Sequence, residues 1–315
     1  MSRKRRSHSH SQEQSWLADQ LAKSTFFHGR LHAWGLLEIA QQIEQVRGDQ
    51  LDWDRLDQLG ISRGAWNKVV HSGIKPVLVF AHPEVLQNIA RAVSYYRMLA
   101  MVSQKSMARI GLLVNDLEGG KLPTSQQAID IARHLNAIIS KLIEADDIIA
   151  MRELDLWRGM AAGTQAQGSW QNAKGAEVET LVKEFVRQRA QSIGITNTPA
   201  PNRIVLRDGR EIIFGDDPDI VISRNEKPLV AIEVKGGIDP AGALERLGAA
   251  IKSLQRVKEN NHTCVTILLL RQSSVTEGVR RDIKRSHAAV DYWYTIEDFI
   301  SDEAVQGTLW QQMGF

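Results

Sequence analysis

The chain has 315 residues, enough for two domains or one large one, and its 43% apolar content supports an ordinary globular core. Its 39 basic and 37 acidic side chains leave a net charge of only +2, so any phosphate binding must come from local patches rather than from the total. One cysteine, Cys264, excludes an intrachain disulfide and a cysteine-rich zinc site and fits a reducing cytoplasm, and no apolar run is long enough to read as a membrane span.

Residues 1–15 are polar and basic, with Arg3-Lys4-Arg5-Arg6 near the start and no apolar stretch after it, so they do not read as a secretory signal. They are expected to form a disordered arm, either merely solvated or touching DNA phosphates. Residues 16–155 read as a mostly helical domain. Val85, Leu86, Ile89, Val93 and Met98 sit near helical spacing. Ile131, Ala132, Leu135, Ile138, Ile139, Leu142 and Ile143 repeat it, with Pro123-Thr124-Ser125 as a start. Within this region Leu56 to Val70 looks like helix, glycine turn, helix, with Ser62 capping the second helix. Arg63, Asn67 and Lys68 then fall near its N-terminal half, where a helix-turn-helix reader meets base edges; ordinary helical packing is the competing explanation. Residues 156–173 are rich in Gly, Ala, Gln and Ser and read as a linker.

Residues 174–315 alternate helix and strand. An amphipathic helix covers residues 174–186, and a hairpin follows, 203–206 and 211–214, turning at Asp208-Gly209. Two further strands begin at Asp219 and Leu229. Then come a helix over 240–254, a buried strand over 263–270, a helix over 275–284 and a short strand over 290–294.

The chemistry is concentrated in the middle of this segment. In Ile232-Glu233-Val234-Lys235 the strand period of two puts Glu233 and Lys235 on one face and Ile232 and Val234 on the other. Asp219, at the mouth of the neighbouring strand, can converge on them. Two carboxylates and a lysine around one point suit a hard divalent cation and a phosphodiester. A surface strand with a plain ion pair is the alternative. The apolar run Leu229-Val230-Ala231 speaks against it, because charges on a partly buried strand need partners or a metal.

Pro218-Asp219, thirteen residues, then Glu233-Val234-Lys235 resembles the PD-(D/E)XK nuclease superfamily. The resemblance implies an α/β fold, a mixed sheet with this order of elements, preceded here by the helical domain. It implies Mg²⁺ held by Asp219, Glu233 and the carbonyl of Val234, with Lys235 steadying the attacking water or the scissile phosphate. It also implies a role for Glu179, four residues after Gly175, unless Glu179 is a solvated helix charge like Glu177. Asp216 and Asp217 would rim the site or hold a second metal. Gly236-Gly237 would let backbone approach DNA closely or simply make a turn. Arg246 and Lys252, on the helix after the lysine, are candidate phosphate contacts or solvated surface.

From about Asp216 to Phe299 the chain is similar to the XcyI-type restriction endonucleases. Ile232 to Gly237, Ala241 to Ser253 and Trp293 to Phe299 carry the likeness, Gly242-Ala243-Leu244-Glu245-Arg246 most specifically. This implies a Mg²⁺-dependent type II enzyme that cuts a short GC-rich palindrome in double-stranded DNA, and a homodimer, since protein symmetry mirrors site symmetry. The helical region would then serve recognition and dimerisation. Two other functions compete. One is a repair or junction-resolving nuclease of the same core. The other is a non-catalytic DNA-binding module, against which the intact Asp219, Glu233 and Lys235 argue.

Overall fold

The computed structural model describes residues 10–237 and 243–315. They fall into two compact units, Met1–Trp170 and Gln171–Phe315. No described helix is long and apolar enough to cross a membrane.

The first unit is helical: α1 (His10–Ala33), α2 (Leu36–Glu44), α3 (Arg63–His71), α4 (Pro83–Asn88), α5 (Ala92–Leu99), α6 (Gln104–Arg109), α7 (Asn115–Glu118), α8 (Ser125–Ala145) and the start of α9 (Met151–Ile193). Its organiser is α8. Thr124 and Gln127 form a reciprocal capping box at its start. Ala128, Ile131, Ala132, Leu135, Ile139 and Ile143 form its buried stripe at three- and four-residue spacing. Asn136 interrupts that stripe and is fully buried, but its amide is satisfied. It accepts from Ala81 N at 2.7 Å and donates to the carbonyls of Ala81 and Leu59 at 2.8 and 2.9 Å.

Two expectations for this unit need correction. No first helix precedes α3: residues 54–60 are turns. Gly60, with φ +74°, presses so closely on α8 that an added Cβ would lie 2.2 Å from the Arg133 carbonyl. Ser62 does cap α3, accepting from Ala65 N. Lys68, expected beside base edges, turns toward α8 instead. Its ammonium donates to the carbonyls of Ile143 and Glu144 at 3.2 and 3.3 Å and also to that of Asp146, closing the C-terminus of α8. Of the three candidates on this helix, Arg63 and Asn67 are exposed and Lys68 is half-buried.

The expected linker, residues 156–173, is instead helical, inside α9. Tertiary contacts override its glycines. Ala166 and Trp170 are buried, Gln165 accepts from the buried Arg97 at 2.6 Å, and Arg158 lies over the Tyr95 ring. Of the expected basic arm, residues 1–9 lie outside the described residues, whereas 10–15 already belong to α1.

The second unit holds a seven-stranded sheet whose spatial order is the chain order: β1 (Ile195–Ala200), β2 (Arg203–Leu206), β3 (Glu211–Phe214), β4 (Ile220–Arg224), β5 (Lys227–Lys235), β6 (Val265–Leu270) and β7 (Tyr292–Thr295). Strands β1 to β5 are antiparallel, and β6 and β7 continue in parallel. The parallel crossovers use α10 (Ala243–Asn260) and α11 (Glu277–Arg285), and α12 (Ile296–Ser301) and α13 (Glu303–Gln312) end the chain. The start of the helix expected from residue 240 lies outside the described residues.

Strand periodicity sorts the side chains into two cores. Val230, Ile232 and Val234 pack with Val178, Val182 and Val186 of α9 and with Phe299 and Trp310. Ala231 packs on the other face with Leu247, Ala250 and Leu254 of α10 and Val279 and Ile283 of α11. A fully buried Val182 or Phe299 contributes about 1.5–3 kcal/mol. Glu233 and Lys235 therefore belong, by parity, to the α10 face.

Candidate active site

Strands β4 and β5 are joined by Asn225 and Glu226, both at positive φ (50° and 64°), the conformation of a tight two-residue hairpin. Their register pairs Ile220 with Ile232, Val221 with Ala231 and Ile222 with Val230. Continued by one residue, it sets Asp219 opposite Glu233 on the α10 face. Both carboxylates are 2% exposed.

Their partners are specific. Asp219 Oδ2 accepts the backbone N–H of Val234 at 2.7 Å. The N–H and carbonyl of one strand residue point to the same edge, so the Val234 carbonyl also lies on the Asp219 side. Glu233 Oε1 pairs with the Lys235 ammonium, and Glu233 Oε2 accepts from Ser253 Oγ of α10 at 3.1 Å. Burial, and then the negative charge of Glu233, push the Asp219 carboxyl up to about 7; the Val234 N–H and Lys235 pull the other way. Burial likewise raises Glu233 against the pull of Lys235 and Ser253. Two buried carboxylates that resist ionising together are what a cation would relieve.

Around this pair stands a second set of groups. Glu179, on α9, is near enough to raise Asp219 further, but its carboxylate is ion-paired to Lys183. Lys183 also donates to the Gly215 carbonyl at 2.7 Å, tying α9 to the loop that carries Asp219. Glu177 is more exposed and pairs with Lys174. Asp217 pairs with Arg256 of α10; Ser253 and Arg256 hold its carboxyl below the usual range. Asp216 is exposed. Gly236 admits no side chain: a Cβ would stand 2.7 Å from Val178 Cβ and 3.1 Å from the Gly175 carbonyl. At Gly237 it would meet Arg246 Nε at 2.7 Å.

The structure thus brings together Asp219, Glu233, Val234 and Lys235, keeps Glu179 within electrostatic reach and sets Arg246 beside Gly237. Lys252 is exposed, and its neighbour Ser253 is the residue that turns inward. Ser253, Lys183 and Arg256 escaped the sequence reading. A serine flanked by apolar positions on an amphipathic helix was the one available signal for Ser253.

The donors fit a hard cation. Among the described residues no three His, Cys, Asp or Glu side chains converge into a metal-binding group. What remains is two carboxylates and a backbone carbonyl, all oxygen. That is the donor set of Mg²⁺, which keeps several waters and takes one or two carboxylates plus substrate phosphate oxygens.

Comparison with known proteins places the chain in a family. Residues 39–299 match the XcyI restriction endonuclease family. The chain belongs to that family. It is similar to the type II restriction enzyme XcyI of Xanthomonas campestris pv. cyanopsidis, 29% identical over 214 residues, 62% of this chain and 64% of that one. It is also similar to the type II restriction enzyme Cfr9I of Citrobacter freundii, 24% identical over 252 residues, 74% of this chain and 75% of that one. The stretch shared with XcyI is thus a little under two thirds of that relative's length. The family match takes in the whole Asp219–Glu233–Lys235 constellation and most of the helical unit.

Proposed function

We propose that this chain is a type II restriction endonuclease with a PD-(D/E)XK core, cutting double-stranded DNA at a short palindromic site in a Mg²⁺-dependent reaction. The observation that carries the reading is the buried pair Asp219–Glu233, opposite one another across β4 and β5, with Lys235 on the same face. Family membership supports the type of reaction, and this constellation supports the choice of residues.

A cation bound here would supply water activation and charge neutralisation on the phosphate. Asp219, Glu233 and the Val234 carbonyl are the residues that would hold it. Lys235, released from Glu233, places an ammonium next to the reacting phosphate and stabilises the charge that develops there. Glu179 faces the same centre from α9 and helps to orient the attacking water, with Lys183 fixing its position. Arg246, next to Gly237, contacts the DNA backbone. Arg63 and Asn67, exposed on α3, are the candidates for base contacts from the helical unit. Cleavage of both strands of a palindrome is the work of a homodimer, and a GC-rich site follows from the family likeness.

Plasmid digestion with and without Mg²⁺, followed by run-off sequencing, tests the reading and yields site and cut position together. Asp219→Ala and Glu233→Ala are each expected to abolish cleavage while binding of the site persists in Ca²⁺. Lys235→Ala should slow turnover by about 10²-fold or more. Cutting by either carboxylate variant at more than a few per cent of wild type sinks the assignment. A repair or junction-resolving nuclease would instead cut branched or damaged DNA and leave intact plasmid alone.

A further inference from the structure

Helix α10 lies on the sheet with an inward stripe of Ala243, Leu247, Ala250, Leu254 and Val257. Ser253 is the polar residue within that buried surface, 2% exposed. A buried hydroxyl without a partner costs about 1–3 kcal/mol, and a serine inside a helix usually turns back to a carbonyl of its own preceding turn. Ser253 does neither. Its Oγ spans from α10 to β5 and donates to Glu233 Oε2 at 3.1 Å.

That contact matters because the two oxygens of Glu233 differ in what holds them. Oε1 is paired with Lys235, whose side chain is partly exposed and which the proposed reaction draws toward the phosphate. A cation and Lys235 compete for this same oxygen. Oε2 is held by a short side chain on a packed helix, whose hydroxyl lies within reach of Asp217 as well but is not called on by Lys235. One oxygen of the carboxylate is thus anchored and the other is free to exchange partners. Carboxylates that ligate metals are commonly anchored in this way by an outer hydrogen bond, and loss of the anchor typically weakens metal binding or activity 10- to 100-fold.

We infer that Ser253 is a positioning residue for the metal site: its hydroxyl fixes the plane of the Glu233 carboxylate, so that Oε1 meets the cation in one orientation. The inference rests on the reading of Glu233 as a metal ligand. The same turn of α10 also carries Arg256, which pairs with Asp217 in the loop before Asp219. One helical turn therefore braces the loop before β4 and the carboxylate on β5 together.

The test compares Ser253→Ala, Ser253→Cys and Ser253→Thr with wild type in two titrations. One follows cleavage against Mg²⁺ concentration. The other follows Tb³⁺ luminescence of the DNA-free protein, a direct measure of a hard cation in an oxygen site. The alanine and cysteine variants are expected to need about 10-fold more of each ion for half-saturation. Threonine, which keeps the hydroxyl, should stay within about threefold of wild type. Cysteine preserves side-chain volume with a weak donor, so it decides the matter even if the alanine variant folds poorly. Wild-type half-saturation in both titrations for the cysteine variant overturns the inference. So does a loss of turnover at saturating Mg²⁺ with unchanged ion affinity. Asp219→Ala and Glu233→Ala serve as controls: if they too keep wild-type Tb³⁺ binding and cleavage, the metal site itself is wrongly assigned, a separate failure.

Discussion

Asp219 sits where burial and a neighbouring carboxylate both disfavour its ionised form. Its carboxyl is raised from 3.8 to about 7, first by burial and then by Glu233. A folded-state value above the unfolded one means that the native metal-free protein binds the extra proton between about pH 4 and 7. Metal-free stability should therefore fall as pH rises through that window and then level off. Asp219→Asn removes the ionisation and keeps an oxygen to accept the Val234 N–H. In chelator it should melt with wild type at pH 4 and above wild type at pH 8, although it cannot cleave. Calorimetry at the two pH values checks this, and an equal difference at both would mean that Asp219 ionises freely. A neighbouring pair gives a second comparison. Glu179→Gln should impair cleavage more than Glu177→Gln, because the two side chains point about 200° apart around α9 and only Glu179 acts on Asp219. Equal, negligible effects would return both to the solvated surface. These residues were legible in the sequence for a simple reason. A period of two assigns faces on a strand without knowledge of the rest of the fold, so Glu233 and Lys235 separated cleanly from Ile232 and Val234. Ser253 had no such mark, because its partner lies twenty residues away on another element. Lys68 misled for the converse reason: its place near a helix start suggested DNA, whereas three carbonyls at the end of α8 claim it.

Helix α9 shows how an element can contradict its own composition. Gly159, Gly163, Gly168 and Gly175 each weaken a helix by about 1 kcal/mol relative to alanine, which is why this stretch reads as a linker. The helix persists because Leu154, Ala166 and Trp170 are buried and because Val182, Val186 and Ala190 recur four residues apart against the sheet. At Gly163 and Gly168 an added Cβ would meet nothing within 4 Å. Gly163→Ala and Gly168→Ala are therefore each expected to stabilise the protein by up to about 1 kcal/mol in urea denaturation. A loss of stability in both would mean that the helix needs those glycines for close contact. Strand β1 was missed for a related reason. Thr196-Asn197-Thr198-Pro199 has little apolar alternation, and its place in the sheet comes from pairing with β2 rather than from its own pattern. The Asp208-Gly209 and β4–β5 hairpins needed no such help, since the chain turns there by local chemistry, with Gly209 at φ +79°.

At the scale of the molecule the acidic site belongs to the second unit and the exposed face of α3 to the first. A net charge of +2 gives little general attraction to DNA, so phosphate contacts depend on local patches. If Arg63 reads a base edge, Arg63→Ala should weaken binding at one position of the site by about 1–3 kcal/mol and relax the preference there. Competition binding on variant sites at two salt concentrations measures this. An even loss across all sites, with a salt slope shallower by about one unit, would make Arg63 a phosphate contact instead. No change in either quantity would leave α3 as scaffold.

The sheet has one more consequence, in the order of its assembly. Each strand lies beside the strand made just before it, from β1 to β7. A chain emerging from the ribosome can add them one at a time, with no late strand threading between earlier ones. Pairing that is local in sequence also favours fast folding for a unit so rich in strands. The hairpin bearing Asp219 and Glu233 forms midway in this growth, before α10 arrives with Ser253 and Arg256. A nascent chain stalled there would carry both carboxylates and none of the bracing from α10, so the buried pair is made before the contacts that brace it, with β6 and β7 still to follow.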